Sequence, residues 1–506
     1  AETPANMLVI AHRIDDITTV DPAESFEFAG SDISRNVYSR LVNLDPNDLA
    51  AGYQPDLAES WEVSEDGMTI TFTMREGVTF HSGNPVRAED AAFSLQRAVI
   101  LDKTPAFILT QFGFTPENVA ETIRAEGNQL IITTDKRYAT SFILNCLTAT
   151  IGAVVDKELV MANEVDGDMG NAWLQTNSAG SGPYKLDSWK PNESVTMSSN
   201  PDYYDGAPAM ERVIVRHVLE SASQRLLLER GDVDIARNLN PEDIAGASAM
   251  EGIRIEDELK GRLMYIALNQ KHPELSKPEV RQAFKYLIDY EGMRDSFLKG
   301  QYTIHQNFLP ATYLGASEEN PFSYNLEKAK DLLDAAGVEG LEIEIGVREA
   351  QERIEIGQSF QNAAAQVGIT VNITVGTAKQ ILGRYRAREL DVYLGAWGPD
   401  YPDPQTNAGT FAYNPDNSDE AQATGLLAWR NSWDTGGLTE KVEAAVIEND
   451  RDMRIQMYQD IQAEFRETSP FVVMFQQIEQ SALRNNVTDW STGQAVTNAA
   501  YWQVTK

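Results

Sequence analysis

The residues able to act as nucleophiles, bases or metal ligands do not assemble into a catalytic pattern. Five histidines occur, His12, His81, His217, His272 and His305, and no two stand three or four residues apart, so no helix offers a metal a paired ligand. The one cysteine, Cys146, lies in the apolar run FILNCLTATIGAVV and is expected to be a small core residue; alone it forms no internal disulfide and no thiolate cluster. G-x-S-x-G, H-E-x-x-H and Gly-rich phosphate loops are absent. The cluster Ala179-Gly-Ser-Gly-Pro-Tyr184 lacks the Lys-Ser/Thr ending of a phosphate loop, and Pro183 removes a backbone donor; a tight connection with unusual backbone angles is expected there. With 76 Asp and Glu in the chain, neighbouring carboxylates say nothing of acid–base chemistry. The expectation is a binding protein, not an enzyme, with no cofactor and no metal.

The recognition chemistry emerges from the elements. Asn325 can cap a helix with apolar positions Leu326, Ala329, Leu332, Leu333 and Ala336, ended by Gly337. Leu341, Ile343, Ile345 and Val347 then alternate as a strand, and a helix follows over about 352–366. Ile369, Val371, Ile373 and Val375 form a second strand, with a helix over about 378–388 and a third strand through Val392 and Leu394. This β-α-β-α-β order predicts an α/β fold with parallel strands and right-handed crossovers. Ligands of such sheets bind beyond the carboxyl ends of the strands. Two loops become candidates: the one starting at Arg348, and Trp397-Gly-Pro-Asp400-Tyr401-Pro-Asp403-Pro404. Elsewhere, Ile70, Phe72 and Met74 alternate with threonines as a half-buried strand, and Ala88–Ala98 reads as a helix with Glu89 and Asp90 in its first turn. Near the C-terminus Met453, Met457, Tyr458, Ile461 and Phe465 define one core-facing helix stripe, with Pro470 beyond its end.

At 506 residues the chain is too long for one hydrophobic core and predicts two to four domains. It is 42% hydrophobic and 23% charged, as soluble globular chains are, and no apolar run approaches the ~18 residues of a membrane helix. A net charge of −34 argues against nucleic acid as a partner. The opening AETPAN is that expected of a mature protein after signal-peptide removal, without a lipid-anchor cysteine.

A series of weak motifs occurs in a meaningful order. They begin with Val20-Asp21-Pro22, then Pro55-Asp-Leu-Ala-Glu-Ser-Trp61 running to Gly67, Arg75 through Phe80-His81-Ser-Gly83, and Ala88-Glu-Asp90. Gly180-x-Gly182-Pro183-Tyr184 with Trp189 and Asn200-Pro-Asp-Tyr-Tyr204 follow. Gly231-Asp-Val-Asp234-Ile235, Asn269, Pro278-Glu-Val-Arg281-Gln-Ala283 and Tyr324-Asn-Leu-Glu-Lys-Ala329 complete the series. Together they resemble the family 5 solute-binding proteins, the dipeptide- and oligopeptide-binding components of ABC importers. The resemblance implies a periplasmic-binding-protein-like fold: two lobes closing over a ligand by a hinge, with an extra inserted domain. Domain I would comprise 1–46, 177–262 and 478–506, domain II 47–176 and domain III 263–477, with the ligand in the cleft between domains I and III. It further implies a periplasmic monomer that delivers a small peptide or peptide-like solute to a membrane permease. In such binders the Asp of a Trp-x-x-Asp step holds the peptide ammonium; here the step is Trp397-Gly-Pro-Asp400, followed by Tyr401. An arginine near the first strand's end holds the carboxylate, and Arg348 matches it with a one-residue gap, Arg384 and Arg386 being alternatives. Trp397, Tyr401 and Trp429 would be aromatic walls, and Phe26, Glu27, Phe28 and Ala29 an extended stretch pairing with the ligand backbone. Peptide binders of the family usually carry a disulfide, which this chain cannot form, and Trp429-Arg-Asn-Ser-Trp433 is not typical of them. An opine-type amino-acid conjugate or an oligosaccharide is the alternative ligand.

Overall fold

The computed structural model describes residues 2–495 and 499–506; Ala1, which opens the AETPAN run, lies outside the described residues. The chain divides into two compact units. Unit 1 comprises Ala1–Glu258, Asp400–Asp403 and Glu479–Lys506; unit 2 comprises Leu259–Pro399 and Pro404–Ile478.

Unit 1 begins with β1 (Met7–His12), whose run MLVIAH is apolar on both faces: Leu8 and Ile10 enter one core cluster, Val9 and Ala11 another. Such a strand belongs inside a sheet. After α1 (Phe28–Val37) comes a separate four-stranded antiparallel sheet of β2 (Ala58–Val63), β3 (Thr69–Met74), β4 (Ile123–Glu126) and β5 (Gln129–Thr133), in the order β2-β3-β5-β4. In β3 the buried Ile70, Phe72 and Met74 alternate with half-buried threonines, as the sequence predicts. Between β3 and β4 lies α2 (Ala88–Leu101), whose Asp90 carboxylate accepts from the Arg87 backbone N–H as a capping group. Around β1 are arranged β6 (Tyr184–Lys190), β7 (Ser194–Ser199), β8 (Arg212–His217) and β9 (Ile235–Ala236): β1 is parallel to β8 and β9, while β7 joins β8 and β6 antiparallel.

Two long strands, β10 (Ile253–Leu268) and one from Phe471 to Arg484, each contain one unit boundary; the other two flank Asp400–Asp403. In unit 2, α3 (Leu326–Ala335) is capped by the Asn325 side chain and followed by Gly337 at φ +68. Then come β11 (Glu342–Arg348), α4 (Gln351–Gln366), β12 (Thr370–Gly376), α5 (Ala378–Arg386) and β13 (Val392–Trp397). β11 is parallel to both β12 and β13, the expected βαβαβ arrangement, and β13 pairs antiparallel with β10. The helix α6 (Arg451–Thr468) and β14 (Phe471–Arg484) close the chain's second half.

Two local expectations are corrected. Gly180 and Gly182 do not have left-handed backbone angles. They provide clearance instead: a Cβ at Gly180 would stand 2.2 Å from the Val37 carbonyl oxygen, and the Gly182 N–H donates to that oxygen at 2.9 Å. In α6, Met453 is 58% exposed, outside the buried stripe. Arg454 turns inward in its place, because its guanidinium donates to the Ala445 carbonyl at 3.0 Å and to the Tyr458 hydroxyl at 3.1 Å.

Candidate functional site

In unit 2 the parallel strands β11, β12 and β13 finish at one edge. Val347 of β11 is opposite Leu394 of β13, and Arg348, the last residue of β11, is opposite Gly376. Trp397 ends β13 opposite Leu263 of β10, half-buried, with its ring edge-on to Phe411 at 6.0 Å. Arg348 and Trp397 are thus brought to the same edge by strand pairing. The next residues run close to β10: a Cβ at Gly261 would lie 3.0 Å from Pro399 Cγ, so a glycine there admits the Trp-Gly-Pro turn.

Asp400 and Tyr401 belong to unit 1. Tyr401 is buried, its ring 6.0 Å from that of Phe142. Asp400 is half-buried, and burial pushes its carboxyl up to about 7, far above the usual carboxylate range. Asp403 differs from it: fully buried, it accepts a hydrogen bond from Asn145 Nδ2 at 2.8 Å. Asp403 is thus tied into the packing of unit 1 through Asn145, and at Asp400 burial disfavours the ionised form.

Arg348 is half-buried at the strand edge, and neither Glu349 nor Glu352 forms an ion pair with it among the described residues. The alternative arginine Arg384 is committed: it grips Glu344 through two bonds of 2.7 and 2.8 Å. Burial, then repulsion from Arg430, lowers the Arg386 pKa. Trp429 lies in the short helix Leu427–Arg430. Its Nε1 donates to the Ser418 carbonyl at 2.8 Å, and the Arg388 guanidinium covers its ring at 3.8 Å.

Phe26, Glu27 and Phe28 lie in unit 1 and do not form the extended stretch expected through Ala29. Glu27 is the N-cap of α1, and Phe28 and Ala29 are already helical. The cause is local: the Glu27 carbonyl accepts from the Ser31 N–H, which commits the following residues to the helix. Phe26 and Phe28 are exposed, and Phe26 meets Phe107 edge-to-face at 5.9 Å. Sequence reasoning did not single out Arg262 or Arg353, both near the edge that carries Arg348. An arginine in the first turn of a helix immediately after a candidate loop was the available signal.

The family model described as bacterial extracellular solute-binding proteins, family 5 Middle, matches residues 52–419. The chain is 26% identical over 492 residues to the probable D,D-dipeptide-binding periplasmic protein DdpA of Escherichia coli (strain K12), covering 96% of this chain and 92% of that protein. It is 26% identical to di/tripeptide-binding protein 2 of Pseudomonas aeruginosa (strain UCBPP-PA14), covering 90% of this chain and 86% of the relative. Among solved structures, HbpA2 from Haemophilus parasuis superposes with a TM-score of 0.83 at 25% identity, covering 99% of both chains.

Proposed function

The chain belongs to family 5 of the bacterial extracellular solute-binding proteins, and from that premise we propose that it captures a small peptide or peptide-like solute outside the cytoplasm and hands it, unchanged, to an ABC-type membrane permease. The names of its relatives, a D,D-dipeptide binder and a di/tripeptide binder, support the peptide class. The observation that carries the reading is Asp400. Burial pushes this carboxyl to about 7, which disfavours its anion, and a ligand ammonium would stabilise the charged form. Asp400 is therefore assigned the peptide N-terminus, and Arg348 its C-terminal carboxylate, for which a guanidinium fork is suited. Trp397 and Tyr401 bracket Asp400 in the chain and contribute aromatic surface. A three-domain division, a periplasmic location and a monomeric state accompany this reading. Among the described residues no helix is long and apolar enough to cross a membrane.

The test is a calorimetric comparison of free and N-acetylated di- and tripeptides on ligand-stripped protein. Acetylation is expected to cost about 2–5 kcal/mol of affinity, the usual loss when one half of a buried charge pair is removed. Asp400→Asn should impose a similar loss on the free peptides. Equal affinity for free and acetylated peptides would overturn the ammonium role and favour a solute without one.

A further inference from the structure

Unit 2 carries a group of three arginines, none of which forms an ion pair among the described residues. Arg348 ends β11. Arg353 lies in the first turn of α4, which follows β11 after a two-residue turn. Arg262 precedes Leu263, the residue opposite Trp397, so it sits one position past the carboxyl end of β13. Strand register and the short β11–α4 turn therefore bring all three to the edge where the candidate loops emerge. Arg353 is only 3% exposed, and its Nε and Nη1 have no hydrogen-bond partner among the described residues. Among the described residues none of the three forms an ion pair. Nearby arginines show the contrast: Arg384 has Glu344 at 2.7 Å and Arg388 has Asp419 at 2.9 Å.

Burial, then repulsion from Arg262 and Arg348, lowers the Arg353 pKa, and these outweigh the attraction of Tyr393 and Glu352. A buried guanidinium with open donors beside two like charges is costly, and bound anions relieve that cost. A single peptide carboxylate occupies one fork. Three guanidiniums provide for more, and they do so in a protein of net charge −34, whose overall field repels anionic ligands.

We propose that Arg262, Arg348 and Arg353 form an anion subsite that takes two carboxylates, so that the preferred solute is a peptide whose C-terminal residue is acidic; this deepens, and rests on, the peptide reading above. Arg348 takes the main-chain carboxylate, and Arg262 with Arg353 takes the side-chain carboxylate of a terminal Glu or Asp. An acidic C-terminal residue is thereby distinguished from its amide, which is nearly identical in size.

The experiment is isothermal titration of ligand-stripped wild-type protein with Ala-Glu, Ala-Gln and Ala-Ala, and with the same three extended by an N-terminal alanine. Ala-Glu or its extended form is expected to bind at least tenfold tighter than the Gln counterpart. In Arg353→Gln and Arg262→Gln this preference should fall below threefold. Equal binding of the Glu and Gln peptides by wild-type protein overturns the subsite and leaves the peptide reading standing; since this comparison uses no variant, it holds even if Arg353→Gln fails to fold. A Glu preference that survives in both folded variants also overturns it. Binding of none of the six peptides overturns both readings.

Discussion

Asp400 and Asp403 are three residues apart in one proline-rich loop and are expected to respond oppositely to change. The Asp400 carboxyl is held near 7 by burial, so below that pH it is protonated, and pairing with an ammonium must first expel the proton. Peptide affinity should therefore fall about tenfold per pH unit below 7. Above about 8 it should fall again as the peptide amine loses its charge. Calorimetry from pH 5 to 9 reads this bell, and Asp400→Asn should flatten its acid limb. The sign for stability is the reverse. The folded state holds the Asp400 proton more tightly than the unfolded chain, so the ligand-free protein loses this contribution as pH rises from about 4 through 7. Asp403→Ala instead leaves the Asn145 amide without its buried acceptor. It should cost about 1–3 kcal/mol of stability, read by denaturant unfolding.

Among the elements, α2 shows how the family's motifs serve folding. Arg97 of α2 is 1% exposed and forks onto Asp21 of the Val-Asp-Pro turn at 2.7 and 2.5 Å, while Asn171 Nδ2 donates to the same carboxylate at 2.8 Å. The Gly-Asp-Val-Asp234 step acts similarly, Asp234 accepting from the Val9 N–H at 2.8 Å and pairing with Lys506 at 3.0 Å. Asn269 satisfies the carbonyls of Arg388 and Leu390, both at 3.0 Å, just before β13. These motif residues join segments distant in the chain rather than reaching for solute. Asp21→Ala would strand the Arg97 charge in the core and is expected to destabilise by about 3–5 kcal/mol. Thermal unfolding of the purified variant measures this, and a change under 1 kcal/mol would show that the pair is not what anchors α2.

For the whole molecule, function as a carrier has a simple thermodynamic consequence. A peptide present at 100 times its Kd should stabilise the folded protein by about 2.7 kcal/mol, because it binds the native and not the unfolded state. A thermal-shift panel of peptides, opine-type conjugates and oligosaccharides, followed by mass spectrometry of the recovered solute, tests both binding and the absence of turnover. Stabilisation by peptides with intact recovery is the expected outcome, whereas a cleaved product would contradict the carrier reading.

The sequence by itself determined the βαβαβ order of residues 342–397, the cap at Asn325, the helix from Ala88 with Asp90 in its first turn, and the half-buried β3, while the order of the motifs carried the resemblance to solute binders. The elements rest on short-range periodicity or on side chains bonding to backbone within a few positions. Strand order also led to the Trp397–Pro404 loop and to Arg348 before any fold was known. Tertiary structure alone decided which charges find partners. Arg384 is taken by Glu344, forty residues away, and Arg388 by Asp419, while buried Arg353 keeps Nε and Nη1 without a partner among the described residues. It also decided that Gly180 and Gly182 are needed because the Val37 backbone passes against them, and that Arg454 rather than Met453 faces inward. Periodicity marks which face of an element is buried, but the cost of burying a charge depends on groups brought near by folding, and no local pattern records those.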